Sequence, residues 1–185
     1  MKIAYLAWGS LLWDYNILPI KHYWKKSEIK LPLEYSRKSD HKKGRMTLVI
    51  DKKYGSWNNV WYALVDLNNL NMAIRILRKR EKSKTNKSIG YVNLIDNTFH
   101  TKTLGKLTID KIKKWMKNKN IEAVIWTDLQ SNWNFNIERG IKYLQSRPLK
   151  TQIKILEYII KSRKKGDIKT KFSKYLFKNI EKLIN

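Results

Sequence analysis

Apolar positions along this chain fall into two regimes. Up to Asp66 they come in short β-branched or aromatic runs, and beyond Asn69 they recur mainly at helical spacing. The short runs Ile3 to Trp8, Leu31 to Ser36, Met46 to Ile50 and Val60 to Asp66 are bounded by Gly, Asn, Asp or Lys, and each predicts a strand. Ile89 to Ile95 reads as another. Glu122 to Thr127 is apolar and β-branched, which suits either a strand or a buried turn. Helices are predicted over Asn69 to Arg80 and over Thr108 to Asn118, the latter with Thr108 as N-cap and Asp110 in its first turn. Two more cover Asn134 to Gln145 and Leu149 to Ser162, with Pro148 leading into the second. The tail Lys171 to Ile184 repeats Phe172, Leu176, Ile180 and Leu183 at helical spacing. Strands first and helices last, without repeats or a Pro/Gly/Ser linker, predict an α+β fold over residues 1–185 as one domain. Its sheet is expected to be antiparallel or mixed, with the helical C-terminus packed on it. A hinge, if there is one, belongs in the basic stretch Lys161 to Lys174.

Composition narrows the chemistry more than it names it. A hydrophobic share of 42% in 185 residues suffices for one sizeable core. The chain has no Cys, which excludes disulfides, thiolate metal sites and Cys nucleophiles. His22, His41 and His100 are too scattered for a helical metal pair, so no metal is expected. No apolar run approaches the roughly 20 residues of a membrane span. The opening MKIAYLAWGSLLWDY is too aromatic and too soon acidic for a signal peptide. A cytoplasmic protein without membrane contact is the expectation.

The formal charge of +25 points at nucleic acid on its face. Yet the cations are 32 Lys and 8 Arg, beside 22 Ile and 16 Asn, so Lys, Ile and Asn fill 70 of 185 positions. That is the pattern of AT-rich codon bias, and Arg, the residue suited to bidentate phosphate and base contacts, is scarce. Compositional drift is the favoured reading; a nucleic-acid partner stays open but is not favoured.

Two positions are candidates for chemistry. At Ala7-Trp8-Gly9-Ser10-Leu11, a Gly and a Ser directly after a buried strand allow a sharp turn. The backbone N–H groups of such a turn can form a concavity for a carboxylate or phosphate oxygen. An ordinary strand-end turn with aromatic packing is the alternative. The second is Glu81. Leu70, Ala73, Ile74 and Leu77 form one apolar stripe, and Glu81 lies about 20° from the Leu70 direction at roughly 100° per residue. A carboxylate that continues a core-facing stripe needs a partner or a purpose, because desolvation favours its neutral form. Alternatively the helix ends before Glu81, whose side chain then swings into solvent beside Arg78. Asp14, Asp40, Asp51 and Asp66 suit turn or capping duty, and His41 suits a turn or a substrate contact. Ser10 has no His partner in view for a hydrolytic triad, and no phosphate-binding glycine motif is present. Trp115, Trp126 and Trp133 read as packing residues rather than stacking platforms.

These two positions occur in the order of one family's signature elements. Tyr5 to Asp14, reading YLAWGSLLWD, resembles the "YGSLIW" loop of the γ-glutamylcyclotransferase-like superfamily in its ChaC-type form. Tyr35-Ser36-Arg37, Ser39-Asp40-His41 and Gly44 to Val49 are similar to its "R...S.DH.G...GR..TL" stretch. Val60-Trp61-Tyr62-Ala63 resembles its "VWG" strand, and Arg80-Glu81-Lys82 with Gly90-Tyr91 resembles its "RE...GY" stretch. The resemblance spans residues 3 to 92; the C-terminal half, with Ile125 to Leu129, looks like bacterial members of uncertain substrate. It implies a small mixed-strand β-barrel with flanking helices and a pocket at its mouth. It implies further that a γ-glutamyl compound is cyclised to 5-oxoproline, releasing an amino acid or amine without any cofactor. Glu81 would be the general acid/base, and Trp8, Gly9, Ser10, Leu11, Arg37 and Tyr91 would bind substrate. Trp8 stands where the family has Tyr, which removes a phenolic hydroxyl. The spacing from Glu81 to Gly90-Tyr91 is longer than in compact ChaC-type chains. The competing reading is a non-catalytic ligand-binding or nucleic-acid-associated regulatory protein on the same fold, and another amide-cleaving activity is a third.

Overall fold

The computed structural model describes residues 1–39 and 44–184, with the backbone alone for 180–184. The described residues form an α+β fold with strands β1 (Ile3–Ala7), β2 (Lys25–Ser39), β3 (Arg45–Ile50), β4 (Ser56–Leu64), β5 (Ile89–Asn93), β6 (Phe99–His100) and β7 (Ala123–Thr127). The helices are α1 (Leu70–Arg80), α2 (Lys106–Asn118), α3 (Ile137–Gln145), α4 (Leu149–Gly166) and α5 (Lys171–Ile184). All seven strands share one mixed sheet in the order β3-β2-β4-β1-β7-β5-β6. Only β1 and β7 run parallel; the other ladders are antiparallel.

β1 lies mid-sheet, and helices cover both its faces, which is why its sequence IAYLA is apolar without alternation. Ile3, Tyr5 and Ala7 join one core with Ala73, Ile74 and Leu77 of α1. Ala4, Leu6 and Trp8 join a second core with α2, α4 and α5. Burying each large apolar side chain in these layers contributes about 1.5–3 kcal/mol. The apolar stripe of α1 thus faces the sheet as its spacing predicts.

Several expectations change. The sheet is open, because no ladder joins β3 to β6 among the described residues, and the closed barrel implied by the resemblance is not formed. Edge strand β6 has two residues, and with helices on both faces the sheet need not close on itself to cover its apolar side chains. Glu122 to Thr127 resolves as strand β7. β2 starts at Lys25, six residues before its apolar run, because its inward positions there are Ser27 and Ile29. Ser27 satisfies its buried hydroxyl on the Val60 carbonyl at 2.7 Å, so a polar residue holds a core-facing place. Gly105, not Thr108, is the N-cap of α2, and α4 continues to Gly166. The stretch Lys161 to Lys174 is no hinge: Ile168, Thr170, Phe172 and Ser173 are fully buried, and Asp167 ends α4 in a left-handed conformation. Trp115 and Trp126 are core residues, and Trp133 packs on Phe135 and Tyr143. Among the described residues no helix is long and apolar enough to cross a membrane.

Candidate active site

β1 ends in a turn that only glycine permits. Trp8 is still extended, Gly9 has φ +56°, and Gly9–Leu12 forms a 3-10 turn. A Cβ at Gly9 would sit 2.4 Å from the Tyr158 hydroxyl oxygen, so backbone angle and space both demand glycine. The amides of Gly9 and Ser10 open this turn and precede its i→i−3 ladder, which leaves them free of partners within it. The Trp8 indole Nε1 donates to the Leu48 carbonyl at 3.3 Å, while the Leu48 amide donates to the Tyr158 hydroxyl at 3.4 Å. Trp8 is therefore pinned to β3, and α4 supplies a phenol beside the turn. Burial pushes that phenol above its usual range. The guanidinium of Arg45 lies 4.5 Å over the Tyr158 ring.

The facing wall is the C-terminal end of α1. Regular helix stops at Arg80, and the Glu81 amide still donates to the Leu77 carbonyl at 2.9 Å. The Glu81 side chain is 15% exposed and stays at the protein, held by Arg80 Nη1 on its Oε1 at 2.6 Å. An ion pair, rather than the apolar setting of the stripe, surrounds this carboxylate. Arg80 makes further contacts that its place in the sequence does not reveal. Its Nη2 donates to Ser10 Oγ at 3.2 Å, its Nε and Nη2 donate to the Asp14 carbonyl at 3.0 and 2.7 Å, and the Asp14 carboxylate lies 3.5 Å away. One guanidinium thus ties the Ser10 turn to Glu81.

Between these walls lies a cavity of about 770 Å³. Trp8, Ser10, Leu11, Arg37 and Glu81 line it, together with Arg80 and Tyr158. Gly9 lies behind the wall, buried against Tyr158. Tyr91 is not among the lining residues. Its neighbours Gly90 and Val92 point to the face that holds Trp126, so strand alternation sends Tyr91 to the α1 side, 6.3 Å from the His100 ring. Gly90 has a packing reason instead: a Cβ there would lie 2.3 Å from the Trp126 indole. Asp40 and His41 lie outside the described residues.

Comparison of the chain with known protein families, curated proteins and solved structures finds no match. The functional reading rests on the residues and their geometry.

Sequence reasoning also passed over the end of β7. Thr127 and Asp128 line the cavity, and Asp128 is almost fully buried. Its carboxylate accepts from the Lys102 amide, the hydroxyls of Thr101 and Thr103, and the Trp126 indole at 3.3 Å. This anchors the 101–104 loop to the strand end. The available signal was the polar pair Thr127-Asp128 directly after the apolar run Ala123 to Trp126; Tyr158, between Glu157 and Ile159 in a helix, offers none. Among the described residues no group of three His, Asp or Glu gathers as a metal site.

Proposed function

We propose that this chain is a γ-glutamylcyclotransferase-like enzyme that closes the γ-glutamyl group of its substrate to 5-oxoproline and releases an amino acid or amine. The observation that carries the reading is the Arg80 bridge, which brings the Gly9-Ser10 turn and Glu81 to one cavity. Those are the two elements, far apart in sequence, that the resemblance couples. The open α+β scaffold suffices for this reading, since both elements hang on β1 and α1 rather than on closure of a barrel.

In the proposed reaction Glu81 takes a proton from the substrate's α-ammonium, and the free amine attacks its own γ-carbonyl carbon. A C–N bond forms, the carbonyl oxygen gains negative charge, and the amide of Ser10, at the cavity wall, stabilises it. Glu81 then returns the proton to the departing nitrogen as the original amide bond breaks, and the second proton shed by the ring nitrogen passes to the released amine, which leaves as an ammonium. Oε1 of Glu81 is engaged by Arg80, and Oε2 is the oxygen available for proton transfer. Arg80 also orients both walls, and the Tyr158 phenol supplies a hydroxyl near the turn where Trp8 has none. No cofactor takes part, and a small γ-glutamyl molecule is the only partner required.

The test is Glu81→Gln, which keeps shape and hydrogen bonding but cannot accept the proton. Its 5-oxoproline release from a panel of γ-glutamyl amides, followed by mass spectrometry, should fall by roughly 10²–10⁴ with circular dichroism unchanged. Equal activity of both proteins would remove Glu81 from the chemistry, and a wild type inactive on every amide would sink the reading itself.

A further inference from the structure

The cavity walls hold both signs of charge, but the acids there already have hydrogen-bond or ion-pair partners. Asp14 and Glu81 both pair with Arg80, and Asp128 is filled by donors from Thr101, Lys102, Thr103 and Trp126. Arg37, Lys82, Lys84, Lys87 and Lys102 line the same cavity. Among the described residues none of these five side-chain cations has a carboxylate within 4.0 Å, and Arg37 spends only Nη1, on the Gln130 carbonyl at 2.9 Å. With 40 cations to 15 anions, unpaired lysines are unavoidable somewhere on this chain. Composition does not explain the backbone of Lys82.

Lys82 has φ +53°, a left-handed conformation at the position after the cap of α1. The Ser83 amide donates to the Arg78 carbonyl at 3.1 Å and the Lys82 amide to the Lys79 carbonyl at 3.0 Å. This is the paired bonding of a Schellman turn, in which glycine normally takes the left-handed place because it alone is free of the steric cost. The other described non-glycine residues with positive φ are Asn97, Asn120 and Asp167, the types that tolerate it best. A lysine kept where glycine serves the turn better, and lining the cavity directly after Glu81, points to a use for its ammonium.

We infer that the leaving half of the substrate carries two or more negative charges, carboxylate or phosphate, recognised by Lys82, Lys84, Lys87, Lys102 and Arg37. This rests on the cyclotransferase reading above and names its substrate class. A cavity of about 770 Å³ falls within the roughly 300–1,000 Å³ that hold a drug-sized ligand, so a γ-glutamyl group leaves room for a substantial second half. The four lysines are exposed around the cavity, where like charges raise the potential met by an anionic ligand that enters it. The balance of the step is unchanged: the γ-amide C–N bond breaks, the ring C–N bond forms, and the polyanionic amine leaves with the proton from Glu81.

The test compares size-matched pairs on the full chain, γ-glutamylglutamate against γ-glutamylglutamine and γ-glutamyl-O-phosphoserine against γ-glutamylserine. The more anionic member of at least one pair should have the higher kcat/KM, on the order of tenfold at low salt, and the ratio should shrink as salt is added. Preference in the first pair assigns the charge to carboxylate and in the second to phosphate. Lys84→Gln with Lys87→Gln should narrow the ratio. Lys82→Gly should narrow it too while raising the thermal midpoint, which a merely structural lysine would do without any change in selectivity. Ratios near one in both pairs, or ratios indifferent to salt and to all three substitutions, would overturn the inference. Calorimetric binding of the leaving halves themselves, O-phosphoserine against serine and glutamate against glutamine, separates the two readings. Selective binding of the more anionic member, without 5-oxoproline from any amide, keeps the polyanion site and removes the cyclotransferase. Turnover without selectivity does the reverse.

Discussion

Replacing Glu34 with Gln should change how the stability of this protein depends on pH. Glu34 is fully buried on β2, where its Oε1 accepts from the Tyr35 amide at 2.9 Å and its Oε2 from the Phe172 amide at 3.3 Å, at the start of α5. Burial raises its pKa from 4.5 to about 7, helped by the nearby Asp51 carboxylate and opposed by hydrogen bonds from Thr170, Tyr35 and Phe172. Between those two values the native protein holds a proton that the unfolded chain has lost. The favourable contribution is complete below pH 4.5 and disappears as pH rises through about 7. The gap corresponds to roughly 3 kcal/mol. Glutamine mimics the protonated carboxyl and does not titrate. The unfolding free energy of wild type minus that of Glu34→Gln, from urea melts at pH 4.5 to 8, should therefore fall by about 3 kcal/mol, since other groups cancel in the difference. A difference that stays flat across this window would refute the burial of an ionisable Glu34 against α5.

Two other perturbations probe the site. Gly9→Ala should destabilise the fold by about 2–4 kcal/mol through its left-handed backbone and its collision with Tyr158. Adding Tyr158→Phe removes the colliding oxygen and should recover part of that loss in chemical melts; strictly additive effects would place the two residues apart. Arg80→Lys keeps the charge but cannot reach Ser10, Asp14 and Glu81 together, so kcat/KM for 5-oxoproline formation should drop on the order of 10–10² with little change in melting temperature. An unaltered kcat/KM would mean that the bridge does not position the catalytic groups.

How much of this was legible in the sequence varies with the range of the interactions concerned. Local patterns were enough for the α+β class, for β1, α1 and the terminal helix, and for singling out Ser10 and Glu81, which the fold sets at one cavity. A strand buried on both faces must be apolar throughout, and a helix on a sheet must carry a stripe; both leave their mark within a few residues. The order and openness of the sheet, the parallel pairing of β1 with β7 and the start of β2 at Lys25 were not legible. They depend on partners distant in the chain, and at Ser27 a hydrogen bond to Val60 substitutes for an apolar side chain. The site divides in the same way. Tyr91 was misplaced because a motif fixes neighbours in sequence, whereas strand alternation decides which face each side chain takes. Arg80 reaches Asp14, 66 positions away, Tyr158 meets Gly9 from the other end of the chain, and Asp128 holds a loop 25 or more positions away, so their types alone conveyed nothing. The composition established that charge is abundant; the fold alone decided that Arg80 would contact two acids at once and that Lys82 would stand in a strained turn at the cavity wall.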